Sequence, residues 1–260
     1  MPERQFGCDI SFYQDNPYTT PKPDLSKMKD VGLKFVVLRH SQNLTRDPLF
    51  EYYWKECDDH NIWRMTYGFL QYWAGSADAG LQGKFLADWF QGKPKTRGWC
   101  DFEQPNANYP ALPPRQNCLD MIHNWMDQVD AGMEIESGLY TNLNTLAYLK
   151  PIPEWLAKRP FWLAWPVTIP ANTDRIEYTR TFTAFPQMEM QNLLMWQALW
   201  NGPGIQAGME SLGLDCDYFM GGMLTLALSC GIHTIPTPTP TKNQRLAILF
   251  ESISTIFLEK

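Results

Sequence analysis

The 260-residue chain contains no run approaching the roughly 18 consecutive apolar residues that a membrane span requires. It has no Cys-x-x-Cys and no Cys/His spacing of the kind that holds zinc, so neither a metal nor a cofactor is expected. Lys and Arg nowhere cluster and the formal net charge is −6, which excludes nucleic acid as a partner, because binding it requires clustered cations to neutralise phosphates. Histidine is scarce, at four residues, and no nucleophile–His–Asp arrangement is legible. Only His40 lies near a predicted strand end, and a structural role is expected for it. No apolar leader follows Met1-Pro2-Glu3-Arg4-Gln5, which predicts synthesis in a cytoplasm without a signal peptide.

What the chain does have is aromatic surface: 14% of residues, 11 of them Trp, against only 19% charged. Aromatic faces suit the apolar C–H faces of sugar rings, although most large aromatics fill cores. Six cysteines stand at 8, 57, 100, 118, 216 and 230. Cys8, Cys100 and Cys216 each adjoin an acid in a strand-like segment. Alternation along a strand then sends the acid one way and the thiol the other, into a packed layer.

Eight short apolar runs read as strands: Phe6–Ser11, Phe35–Ser41, Met65–Trp73, Gly98–Glu103, Ser137–Asn142, Phe161–Pro166, Leu193–Trp200 and Leu214–Phe219. Helical stripes lie between several of them. One uses Leu49, Phe50, Tyr53, Trp54 and Cys57; a second uses Leu81, Phe85, Trp89 and Phe90. A third, Leu119, Ile122, Met126 and Val129, follows Pro113-Pro114 at a helix start. This alternation predicts an α/β fold: a parallel, TIM-like β/α barrel of eight strands over residues 1–233. Its second half is proline-rich and should be irregular, with short or missing helices. Residues 234–241 alternate Pro and Thr and read as a semi-rigid linker. Beyond it, residues 242–260 carry Leu246, Leu249, Phe250, Ile253, Ile256 and Phe257 at helical spacing, predicting an amphipathic helix for self-association or docking on a partner.

The chemistry is placed on Asp101 and Glu103. Two residues apart on a strand, they share a face. At the C-terminal end of a barrel strand that face opens on the mouth. Glycosidic cleavage needs a proton donor and a second group that stabilises developing positive charge, and two close carboxyls divide those roles by pushing their pKa values apart. As a bare pattern D-x-E carries little. Asp9 near the end of the first strand, with Asp215 and Asp217 in the last, adds weight, since first and last strands are neighbours in a closed barrel. The competing explanation makes Asp9 and Asp215 turn or cap residues.

In this company the sequence resembles glycoside hydrolase family 25, the Chalaropsis-type lysozymes that include many phage endolysins. Gly7-Cys8-Asp9-Ile10-Ser11-Phe12-Tyr13-Gln14 is similar to that family's opening G-x-D-x-S-x-x-Q, and Phe35-Val36-Val37-Leu38-Arg39 to its second strand. Asp101-Phe102-Glu103 resembles its D-x-E, Gly138-Leu139-Tyr140-Thr141-Asn142 its G-x-Y-[TS]-x, and Phe161-Trp162-Leu163-Ala164 its W-[IL]-A. Trp196-Gln197 matches a late W-Q, and Leu214-Asp215-Cys216-Asp217-Tyr218-Phe219 a closing [VI]-D-x-N-x-F. Three departures stand out: Tyr67-Gly68-Phe69 lacks the His of a frequent Tyr-His-Phe, Asp217 replaces the usual Asn, and Ala198 stands where an aromatic is common. A chitinase-like D-x-x-D-x-D-x-E is excluded, because positions 97 and 99 are not acids.

The resemblance implies a flattened barrel lacking some helices, and hydrolysis of the β-1,4 bond between N-acetylmuramic acid and N-acetylglucosamine in peptidoglycan glycan strands. It implies Glu103 as general acid/base and Asp101 as orienter of the substrate's 2-acetamido group, with Asp9 and Asp215 completing an acidic floor. Tyr72, Tyr140, Trp165, Trp196, Gln197 and Asp217 form the expected substrate-binding set. A phage or prophage lysin is expected, released through a holin-type pore or carried on the phage particle, with residues 242–260 as its contact for self-association or a particle partner. The alternatives are a non-catalytic wall-binding module on the same barrel and a glycosidase for another amino-sugar polymer.

Overall fold

The computed structural model describes residues 4–15, 22–182 and 192–232. The expected linker and terminal helix, residues 234–260, lie outside them.

The described residues form nine strands: β1 (Gln5–Ile10), β2 (Phe35–Gln42), β3 (Thr45–Arg46), β4 (Trp63–Phe69), β5 (Gly98–Asp101), β6 (Gly138–Asn142), β7 (Phe161–Ala164), β8 (Leu193–Leu199) and β9 (Asp215–Phe219). All but β3 form a closed ring in the order β1-β2-β4-β5-β6-β7-β8-β9, with β9 returning to β1. β3 is a two-residue hairpin return on the edge of β2. The eight expected runs are thus the eight barrel strands. Five end earlier than expected, β1 and β8 by one residue and β4, β5 and β7 by more, so Trp73 and Glu103 sit beyond the ends of β4 and β5.

One expectation is overturned. The ring is not wholly parallel: β9 runs antiparallel to both β8 and β1. Parallel neighbours need a crossover, usually a helix, whereas an antiparallel neighbour is reached by a return loop. Residues 200–214 contain turns and no helix, so the chain turns straight back beside β8.

Three full helices cover the first half: α1 (Phe50–Asp59), α2 (Ala79–Trp89) and α3 (Arg115–Met133). As anticipated, α3 starts directly after Pro114, and the second half is thinner. There the connections hold α4 (Leu143–Leu149), α5 (Glu154–Ala157) and α6 (Arg175–Thr181). α7 (Gly222–Ser229) follows β9 and closes the far end of the barrel, where Leu226 packs with Phe35 and Phe219. The stripe on α2 departs from the expected one: Leu81 is 54% exposed, and Gln82, Gly83, Leu86 and Ala87 are buried instead.

Alternation sorts the strands into two packed layers. Val37, Met65, Tyr67, Trp99, Tyr140 and Trp162 fill the barrel interior. Cys8, Cys100 and Cys216 face outward into the strand–helix layer as free thiols. Burial raises the pKa of all three thiols, which suits packing and opposes reactivity. His40 is likewise buried on the outer side, edge-on to Phe50 at 4.8 Å, and burial pushes its pKa down to about 3, so it stays neutral.

α2 and α3 touch backbone to backbone at Gly83, where a Cβ would lie 2.4 Å from the Trp125 carbonyl oxygen. Gly83→Ala should therefore force the helices apart and destabilise the protein by about 1–3 kcal/mol. Differential scanning calorimetry should show a thermal midpoint several degrees lower; an unchanged midpoint would mean the two helices separate without cost.

Candidate active site

The antiparallel turn of β9 assembles the site. Asp9 stands near the C-terminal end of β1, and its register partner Asp215 is the first residue of β9. Had β9 run parallel, its first residue would lie at the opposite end of the barrel. Asp101 ends β5 between Phe69 of β4 and Tyr140 of β6. These acids and Glu103 line one cavity of about 290 Å³ at the C-terminal mouth of the parallel strands. Its floor is aromatic: Trp162 meets Tyr140 at 4.4 Å and Tyr67 at 6.1 Å, both edge-on.

Each acid is held differently. Gln197 Nε2 donates to Asp9 Oδ2 at 2.7 Å, while Gln197 Oε1 accepts from the Tyr140 hydroxyl at 3.1 Å and from Trp200 Nε1 at 3.2 Å. Glu103 is partly buried and its Oε2 accepts from Asn142 Nδ2 at 2.8 Å. Asn142 also caps α4, its Oδ1 accepting from Thr145 N at 2.9 Å, and Thr145 Oγ1 accepts from Gln104 N at 3.1 Å. The start of α4 thereby fixes the loop that carries Glu103. Among the described residues no donor reaches Asp101 Oδ1, although the residue is buried.

Burial raises every carboxyl in the group. Glu103 rises to about 7 through desolvation, with the Asn142 bond pulling the other way. Asp9 also rises to about 7 and Asp215 to about 8, again first by desolvation and then by repulsion from neighbouring carboxylates. Asp101 lies well above the usual carboxylate range, from burial and from Glu103 and Asp9, with Arg39 opposing. Arg39 is the only basic side chain among the described residues lining the cavity, and its guanidinium is shared with buried Asp47 through two contacts of 2.9 Å.

The cavity gathers Asp9, Asp101, Glu103, Asp215, Tyr140 and Gln197 from the expected set. The other four lie elsewhere. Trp196 is fully buried on the outer side of β8, since Gln197 takes the inward position and successive side chains alternate. Its Nε1 donates to the Trp165 carbonyl at 2.9 Å. Trp165 itself packs in that outer layer, against Trp196 and Phe182. Tyr72, past the end of β4, donates its hydroxyl to the Pro110 carbonyl at 2.9 Å and packs on Phe102. Asp217 is fully buried and outside the cavity lining, bonded by Trp162 Nε1 at 2.8 Å.

Several lining residues escaped sequence reasoning. Arg39 and Gln42 both face the cavity although three apart, because the β2–β4 register slips between Arg39 and Ser41. Tyr67 and Phe69 face inward around Gly68, whose missing side chain would meet Trp125 and Leu86 in the helix layer. The absent histidine of that segment therefore leaves the cavity wall unchanged. Tyr13 comes from a single 3-10 turn, Phe12–Gln14, and Tyr109 from a loop, and neither is long enough to carry a period to read. Asn142 had a legible signal: an Asn ending a strand just before a helix is a strong N-cap. Among the described residues, the cluster able to share a cation is Asp24, Glu56 and His60, outside this cavity.

A closed β/α barrel with a carboxyl pair and further acids at the C-terminal mouth defines a barrel glycoside hydrolase. The comparisons agree. The profile of glycosyl hydrolases family 25 matches residues 8–200, and the chain belongs to that family. It is therefore a glycoside hydrolase. Similar folds include the bacterial lysozyme from Streptomyces coelicolor (18% identity, TM-score 0.64, covering 88% of this chain and 98% of that one). The muramidase from Acremonium alcalophilum is similar at 18% identity and TM-score 0.65, over 88% and 100% of the two chains. The catalytic domain of endolysin ply40 from bacteriophage P40 of Listeria monocytogenes is similar at 17% identity and TM-score 0.59, over 88% and 98%. No curated protein matches the sequence.

Two outcomes follow from the raised carboxyls. Asn142 donates to the charged form of Glu103, so Asn142→Ala should raise the Glu103 pKa further and move the alkaline limb of the pH–rate profile upward from about 7. A limb that stays or falls would contradict that bond. Carboxyls whose folded pKa exceeds the unfolded value contribute stability that is complete below the unfolded pKa, near 4, and is lost as pH rises through 7 to 8. The thermal midpoint should thus be higher at pH 5 than at pH 8, and Asp215→Asn should shrink that difference.

Proposed function

We propose that the enzyme cleaves the β-1,4 bond between N-acetylmuramic acid and N-acetylglucosamine in peptidoglycan, with Glu103 as general acid and then general base. The observation that carries this is Glu103 itself: a cavity-facing carboxyl oriented by Asn142 and held protonated near neutral pH by burial. In acid form it protonates the bridging oxygen as the glycosidic C–O bond breaks. The carbonyl oxygen of the substrate's 2-acetamido group attacks the anomeric carbon, giving a cyclic positively charged intermediate. Ionised Glu103 then takes a proton from the water that opens it, with net retention.

Asp101 suits the acetamido group because its buried Oδ1 has no donor among the described residues, a deficit an N–H from substrate would satisfy. Burial alone favours neutral Asp101; an N–H donor and a developing positive charge beside it both favour the anion. Tyr13, 64% exposed at the rim, offers a sugar-stacking face. We extend the proposal to a phage lysin, reaching the wall through a holin-type pore or on a phage particle. The likeness to the phage endolysin catalytic domain supports this.

Glu103→Gln should lower wall clearance by about 10²- to 10⁴-fold without loss of fold, and Asp101→Asn should also be severe. Mass spectrometry of peptidoglycan digests should find new muramic acid reducing ends. New glucosamine reducing ends, or near-wild-type clearance by Glu103→Gln, would overturn the assignment.

A further inference from the structure

Asp217 is the one acid of the group that the chemistry above does not use. It is the register partner of Gln197 on β8 and of Gly7 on β1, fully buried and outside the cavity lining. Its Oδ1 accepts from Trp162 Nε1 at 2.8 Å. Its Oδ2 is buried with no donor among the described residues, and the neighbouring side chain on the same face, diagonal to it across the β1–β9 ladder, is another carboxyl, that of Asp9. Two carboxylate anions cannot bond to each other, so one of the pair must carry a proton.

The surroundings decide which one. Asp9 lines the cavity and receives Gln197 Nε2 at 2.7 Å. The titratable groups that bear on Asp217 are Asp9 from β1 and Asp215 on its own strand, and the buried thiols of Cys8 and Cys216 lie close to it. Among the described residues none of these is basic. A buried charge without a cation is expensive, and a neutral acid is the form such a position accommodates.

We propose that Asp217 is a positioning residue for Asp9: a neutral carboxylic acid that donates its proton through Oδ2 to the Asp9 carboxylate. Asp9 then holds two donors, Gln197 and Asp217, and becomes the carboxyl of the mouth best able to carry negative charge toward a cationic intermediate. Trp162 fixes the other oxygen and so aims the proton.

The test uses the full chain. At pH 7 the infrared difference spectrum of wild type minus Asp217→Asn should contain the carbonyl stretch of one additional protonated carboxylic acid, that of Asp217. Loss of a carboxylate band instead would overturn the proposal. This readout is independent of activity and so of the bond cleaved. The second arm follows the pH dependence of hydrolysis. The Asn amide can still donate to Asp9 and accept from Trp162, so Asp217→Asn should leave the apparent pKa values in place. Asp217→Leu removes the donor and should raise the acid-side pKa. A downward shift in both variants would mean that a negative charge had been removed, and would also overturn the proposal. If Asp217→Leu fails to fold, the infrared result and the Asp217→Asn profile still decide.

Discussion

Charging a carboxyl group inside this barrel means stripping it of water, and five such groups share the mouth and its underside with one arginine already committed to Asp47. Desolvation is the first cause of the raised pKa in every one of them. That single cost organises the site. It keeps Glu103 protonated near neutrality, ready to act as an acid. It also makes hydrogen-bond donors the scarce resource, so that the side chain with most of them, Asp9, becomes the place where charge can rest. The aromatic floor of Tyr67, Tyr140 and Trp162 maintains the cost by excluding water from beneath.

The donors themselves belong to the scaffold. Gln197 is fixed by Tyr140 and Trp200, and Asn142 by the first turn of α4, so neither can swing to follow its acid. Precision at Glu103 therefore depends on a short helix in the thin half of the barrel.

Much of this was legible in the sequence. The eight strand runs, the acids at their ends and the outward cysteines follow from alternation, which a barrel enforces on every strand. Alternation also explains why Trp196 lies outside the cavity. Trp196 and Gln197 cannot both face the cavity, and Gln197 has an acid to bind while Trp196 has an apolar layer to fill. Gln42 was hidden by the irregularity after Arg39, which shifts the parity of the strand without any Gly or Pro to announce it. Tyr72 and Tyr109 come from loops and Tyr13 from a single 3-10 turn, where placement depends on tertiary contacts. The antiparallel β9 was not marked by any residue type; its sign was the missing helix between β8 and β9.

That reversal has a further consequence for the outline of the mouth. In a uniformly parallel barrel each connection leaves from the top of one strand and re-enters at the bottom of the next, so only half of it borders the opening. The 200–214 connection begins and ends at the top, and it presents Trp200, Ile205 and Leu212 to solvent. Its two anchor strands are pinned by their ladders and Trp200 is tied to Gln197, which leaves its solvent-facing positions free to vary without moving Asp215. It is a rim segment on which relatives of this enzyme can diversify while the acids beneath keep their register.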